Sequence, residues 1–157
     1  MPSLTLRAAL VPVPSRCERA MSESPTTPSE TILFVEDEAL VRMDMAEFLR
    51  ESGYVVYEAA TAKEAIKALQ AKFVDLMFTD INLPDGMNGL ELGEWTLSER
   101  PDVKVLVTTG DASRTVDIPQ TIGPILAKPY TGRDLLDRVR QALTKPWGDG
   151  GAGPQTG

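Results

Sequence analysis

Residues 74–80 read VDLMFTD. The first six suit a strand buried on both faces, since the run is dominated by apolar and β-favouring side chains with no alternating polar face. The strand ends directly on an acid, Asp80. On its N-terminal side lies an amphipathic stretch opened by Thr61-Ala-Lys-Glu64, a capping box in which a hydroxyl and a carboxylate satisfy free amides at a helix start. Ile66, Leu69 and Phe73 supply its apolar face. On the C-terminal side, the loop INLPDGMNG leads to a helix carrying Leu90, Trp95 and Leu97, closed by Pro101.

The same alternation runs through the rest of the chain. TILFV (31–35) is followed by Val41, Met45, Phe48 and Leu49 at i, i+4, i+7 and i+8, a helical period that Gly53 stops. YVVYE (54–58), VKVLVT (103–108) and the short PILA (124–127) read as further strands. Thr131 with Asp134 opens a last helix whose stripe is Leu135, Leu136, Val139 and Leu143. Apolar strands separated by helices predict a doubly wound parallel α/β sheet. The segment DASRTVDIPQTIG (111–123) has few periodic apolar positions and contains Pro119, so the helix between the fourth and fifth strands is predicted to be short or irregular.

Composition sets the outer limits. The 157 residues fit one domain with tails. Residues 1–30 hold five of the twelve prolines and read as a disordered arm, residues 31–145 as the domain, and 146–157 as a Gly- and Pro-rich flexible tail. MSESPTTPSETILFVED, beginning at Met21, would make a short leader to the first strand, which marks Met21 as a candidate start. A net charge of −7 with no basic run argues against nucleic acid as a partner. No apolar run approaches the roughly 20 residues of a membrane span, and the lone Cys17 forms no internal disulfide, so a reducing cytoplasm is expected. The absence of histidine removes Ser-His-Asp and Cys-His catalysis and leaves carboxylates, hydroxyls, lysine and bound ions to do the chemistry.

In sheets of this kind ligands bind beyond the carboxyl ends of the strands. The first strand runs out into Glu36 and Asp37, the third into Asp80, the fourth into Thr108 and Thr109, and the fifth into Lys128 followed by Pro129. Three carboxylates gathered at one edge repel one another unless a cation intervenes, and an all-oxygen set selects Mg²⁺ or Ca²⁺. Mg²⁺ fits better, because so few protein ligands leave room for water and a phosphate.

ILFVEDE, FTDINLP, VLVTTG and LAKPY, in that order and spacing, resemble the response-regulator receiver domains of two-component signalling, over about residues 31–144. The resemblance implies a flavodoxin-like sheet of order 2-1-3-4-5 and a phospho-acceptor switch, not a metabolic enzyme. It implies that Asp80 accepts a phosphoryl group from the phosphohistidine of a sensor histidine kinase or histidine phosphotransfer protein. Asp37 would bind Mg²⁺ directly, Glu36 through a water, and the Asn82 backbone carbonyl would complete the ligand set. Thr109, which directly precedes Gly110, would donate its hydroxyl to the phosphoryl group in preference to Thr108, and Lys128 would place its ammonium there, aimed by a cis bond to Pro129. Output would be made in trans by a change of protein partner. At the position where many receivers carry a switching aromatic this chain has Ile125, so ordering of residues 110–123 is the expected response to phosphate.

Three other functions weigh less. An aspartyl-phosphate phosphohydrolase usually carries a second acid two residues after the nucleophile, where Asn82 stands. A nucleotide-binding module needs a glycine-rich loop after the first strand, where VEDEALV stands instead. A receiver kept only as a binding surface would share the sequence pattern and differ in reactivity.

Overall fold

Strands with no solvent face must lie inside a sheet covered on both sides, and that is where the computed structural model places them; it describes residues 29–111, 113, 118–119 and 121–144. Strands β1 (Thr31–Val35) and β3 (Leu76–Asp80) are buried at every position. They form the centre of a five-stranded sheet with β2 (Val55–Ala59), β4 (Lys104–Thr109) and β5 (Ile125–Ala127). The order is β2-β1-β3-β4-β5, all pairs parallel. Helices α1 (Ala39–Glu51), α2 (Ala62–Ala71), α3 (Gly89–Glu99) and α4 (Gly132–Thr144) cover it. This is the flavodoxin-like doubly wound arrangement expected from the sequence.

Period-two alternation sends strand side chains into two separate cores. Ile32, Phe34, Leu76, Phe78, Leu106 and Leu126 meet α1 and α4 on one face. There the Phe34 and Phe78 rings stack with centroids 4.7 Å apart. Leu33, Val35, Met77, Val105 and Val107 meet α2 and α3 on the other. Each fully buried Leu, Ile or Phe of these sets contributes about 1.5–3 kcal/mol of transfer free energy.

The helix ends explain the boundaries. Thr61 accepts the Glu64 N–H at 3.2 Å, while the Glu64 carboxylate reaches the Ala60 N–H at 2.7 Å, one residue before the partner a capping box would use. The Thr131–Asp134 box is fully reciprocal. Asn88 and Glu91 form a third box at the start of α3, inside a stretch that reads as loop. At the end of α1, Gly53 has φ +100, and the Gly53 and Tyr54 amides bond back to the Arg50 and Leu49 carbonyls, a Schellman closure. Tyr54 is thereby spent on the helix cap, and β2 begins one residue later than its sequence suggests.

The expected short or irregular helix between β4 and β5 falls in part on residues 112, 114–117 and 120, outside the described residues, as do most of the N-terminal arm, Cys17, Met21 and the C-terminal tail. Two described residues of that segment, Ile118 and Ile122, are buried in the α2–α3 core. Ile125 packs against the same core from β5.

Candidate functional site

The parallel register brings Glu36, Asp80, Thr108, Thr109 and Lys128 to one edge of the sheet. Val35 pairs with Thr79, so Glu36 leaves β1 beside Asp80 at the end of β3. Asp80 pairs with Thr108, and Thr109 pairs with Ala127, one residue before Lys128. The Lys128 N–H closes the edge with a 2.8 Å bond to the Thr109 carbonyl.

Burial separates the three acids. Glu36 is 1% exposed and Asp80 4%, while Asp37 faces solvent. One carboxylate oxygen from each lies within 4.8 Å of the others. The Lys128 ammonium bonds an Asp80 oxygen directly and an oxygen of Glu36 at 3.3 Å. The other Asp80 oxygen accepts the Asn82 N–H at 2.9 Å, and the other Glu36 oxygen the Glu38 N–H at 3.2 Å. The Lys128–Pro129 peptide is cis.

The electrostatics follow from this crowding. Burial is the main cause that raises the Glu36 pKa from 4.5 to about 7, helped by its contact with Asp37 and the charge of Asp80, against the pull of Lys128. Burial alone would lower the Lys128 pKa. The hydrogen bond and charge of Asp80, with Glu36 behind it, outweigh that and hold the ammonium above its ordinary value. Tyr130 stands edge-on to Phe78, with centroids 5.8 Å apart, and its buried hydroxyl finds no partner among the described residues. Burial and the charges of Glu36 and Asp80 keep that phenol protonated. Val41, Met45, Pro129 and Tyr130 form the apolar wall of a 450 Å³ cleft that opens beside Lys128.

The two threonines differ. The Thr108 hydroxyl donates to the Leu126 carbonyl at 2.8 Å inside the sheet, so it is committed to structure. The Thr109 hydroxyl accepts the Asp111 N–H at 3.1 Å, a contact within its own loop. Asn82 is exposed in the loop after β3.

The donor set fits a small hard cation. Its oxygens are close neighbours, one of the acids is open to solvent, and among the described residues the cluster is all carboxylate. Glu36, Asp37 and Asp80 are the groups that would hold Mg²⁺.

Two contributors escape sequence reading. Gly89 starts α3 so close to β3 that a Cβ there would collide with the Asp80 carbonyl, a contact visible only in three dimensions. Arg42 reaches back from α1 to the carbonyl of Glu36 at 2.7 Å. It sits on a helix face that reads as ordinary solvated surface.

Comparison with known proteins agrees with the fold. The family profile of the response regulator receiver domain matches residues 32–140. The response regulator receiver protein CpdR of Brucella abortus is 31% identical over 116 residues, covering 71% of this chain and 95% of CpdR. The transcriptional regulatory protein PdtaR of Mycobacterium tuberculosis is 32% identical over 129 residues, 77% of this chain. The match spans only 62% of PdtaR. A CheY-like receiver domain structure from Methanospirillum hungatei superimposes with a TM-score of 0.68 at 34% identity, covering 73% of this chain and 94% of that one. The structure of TrrA from Thermotoga maritima, in complex with Mg²⁺-BeF, gives 0.67 at 28% identity, covering 73% and 99%. With four motifs at the strand ends, the fold and these matches in agreement, the chain belongs to the response regulator receiver domain family.

Proposed function

We propose that this chain accepts a phosphoryl group on Asp80 from the phosphohistidine of a sensor histidine kinase or a histidine phosphotransfer protein, and signals through a change in the proteins it binds. The observation that carries this is the setting of Asp80: nearly buried, yet with one oxygen held by the Lys128 ammonium and the acidic pair Glu36 and Asp37 alongside. A carboxylate is a competent phosphoryl nucleophile only where cations offset the charge gathering on the transferred group.

In the transfer, an Asp80 oxygen forms the new P–O bond as the P–N bond to the donor imidazole breaks, and the bonding pair leaves with that nitrogen. Lys128 holds one side of the group, and the Thr109 hydroxyl turns from Asp111 to donate to it. Asp37, Asp80 and the Asn82 carbonyl would hold Mg²⁺, with Glu36 acting through a water, and the ion would supply further charge neutralisation. The Mg²⁺-BeF complex of TrrA supports this choice of ion. The chain is a switch and not a metabolic enzyme. The receiver unit spans 31–145, flanked by an arm of 1–30 and a tail of 146–157, and works in the cytoplasm without nucleic acid or membrane. Among the described residues no helix is long and apolar enough to cross a bilayer.

Beryllofluoride tests the reading. With Mg²⁺ it should raise the melting temperature and shift the amide resonances of Asp80, Thr109 and Lys128, and chelator should abolish both effects. No response in the presence of Mg²⁺ would reject the phospho-acceptor role and leave a binding surface of receiver shape.

A further inference from the structure

The acidic pair Glu36–Asp37 stands on a turn that is held in an unusual way. Past Val35, the last residue of β1 paired with β3, the chain makes one more sheet bond, from the Glu36 N–H to the Ala59 carbonyl at 3.0 Å, and then enters α1. Helix starts are normally fixed by a side-chain cap, but the residue at that position, Glu38, makes none. The Glu38 N–H bonds the Glu36 carboxylate instead. That bond uses the same carboxyl group the site needs, so it is a poor anchor once the carboxylate is engaged elsewhere.

A further constraint comes from Arg42, one turn into α1. Its Nη1 donates to the Glu36 carbonyl at 2.7 Å and to the Asp37 carbonyl at 3.5 Å. Its Nε faces Glu58 on β2 at 3.5 Å. Glu58 is held in turn by Arg50 at 2.9 Å, and Arg50 also donates to the Val56 carbonyl at 2.9 Å. The chain Arg50–Glu58–Arg42 thus ties the turn between β1 and α1 to the edge strand through backbone carbonyls, without using either carboxylate of Glu36 or Asp37.

We propose that Arg42 is a positioning residue for divalent-cation binding: its guanidinium sets the backbone of Glu36 and Asp37, with Glu58 holding the guanidinium and offsetting its charge. The proposal rests on the metal-binding reading given above. A planar fork with several donors can span two successive carbonyls and a carboxylate, which a lysine ammonium on a flexible stem does poorly. Groups that orient metal ligands commonly matter by about 10- to 100-fold in affinity.

The test is calorimetric titration of Mg²⁺, without any phosphodonor, into wild type, Arg42→Lys, Arg42→Met and Glu58→Gln, with melting temperatures measured in chelator. Positioning predicts that Arg42→Lys, which keeps the charge, weakens Mg²⁺ binding about tenfold. Glu58→Gln should weaken it less, and the two changes should combine non-additively. A merely structural role would lower the melting temperature and leave the Mg²⁺ dissociation constant of the folded protein unchanged. A purely electrostatic role would make Arg42→Met bind Mg²⁺ more tightly. Either result overturns the proposal. If Arg42→Met does not fold, Arg42→Lys and Glu58→Gln decide. Wild type that fails to bind Mg²⁺ rejects the metal reading itself, an outcome distinct from wild-type affinity in Arg42→Lys.

Discussion

Lys128 bonds Asp80 and Glu36 at once, reaching from the end of β5 across two strand ends to two acids that are each at least 95% buried. One cation serving two carboxylates makes the unphosphorylated site stable and keeps its own charge available for an incoming anion.

Removing that cation should therefore cost stability where both acids are charged. The ammonium is partly exposed, so the penalty is smaller than for a fully buried pair, about 1–2 kcal/mol for Lys128→Met at pH 8. At pH 5, where Glu36 carries a proton, the penalty should shrink. Urea unfolding at the two pH values measures the difference, and an equal penalty at both would contradict the shared-cation account.

The raised Glu36 pKa gives a signed pH dependence. The folded protein holds this proton up to about 7, whereas the unfolded chain releases it near 4.5. The contribution is thus fully present below about 4.5 and is lost as pH rises through about 7, on the order of 1–2 kcal/mol after screening. Mg²⁺ requires the carboxylates deprotonated, so it should stabilise little at pH 5 and clearly at pH 8. Melting curves in chelator and in Mg²⁺ across that range should converge at low pH.

The threonine pair separates structure from function. Thr108→Val leaves the buried Leu126 carbonyl without its hydroxyl partner and should cost about 1–2 kcal/mol while phosphorylation proceeds at its normal rate. Thr109→Val loses only the bond from the Asp111 N–H, so it should cost less than Thr108→Val, about 0.5–1 kcal/mol, and slow phosphorylation strongly. Parallel denaturation and labelling of the two variants would expose a reversed assignment.

These outcomes also mark what the sequence made legible. VDLMFTD and TILFV announced central strands because burial on both faces removes the polar alternation of an edge. The strand ends then carried the site, since parallel pairing forces Glu36, Asp80, Thr109 and Lys128 to one edge. Arg42 and Gly89 were not legible, because each acts through a backbone atom distant in sequence and carries no periodic signal. The Asn88–Glu91 box was hidden by its loop-like composition, and the buried Ile118 and Ile122 belong to a segment with no periodic apolar pattern to announce them.

Gly89 gives the sharpest steric prediction. A methyl group there meets the Asp80 carbonyl and the Ile81 backbone, which have no flexible end to move aside. Gly89→Ala should cost about 1–3 kcal/mol by overpacking and reduce labelling of Asp80, because relief requires β3 or α3 to shift. A variant as stable and as reactive as wild type would show that the contact is slack.

The central claim is that Asp80 is the phospho-acceptor, and intact-mass spectrometry of wild type and Asp80→Asn after incubation with acetyl phosphate and Mg²⁺ tests it most directly. Wild type should gain one phosphoryl group, lost on adding chelator before the donor, and Asp80→Asn, folded by circular dichroism, should gain none. A phosphoryl group on the Asp80→Asn protein, or none on wild type with Mg²⁺ present, would contradict the account.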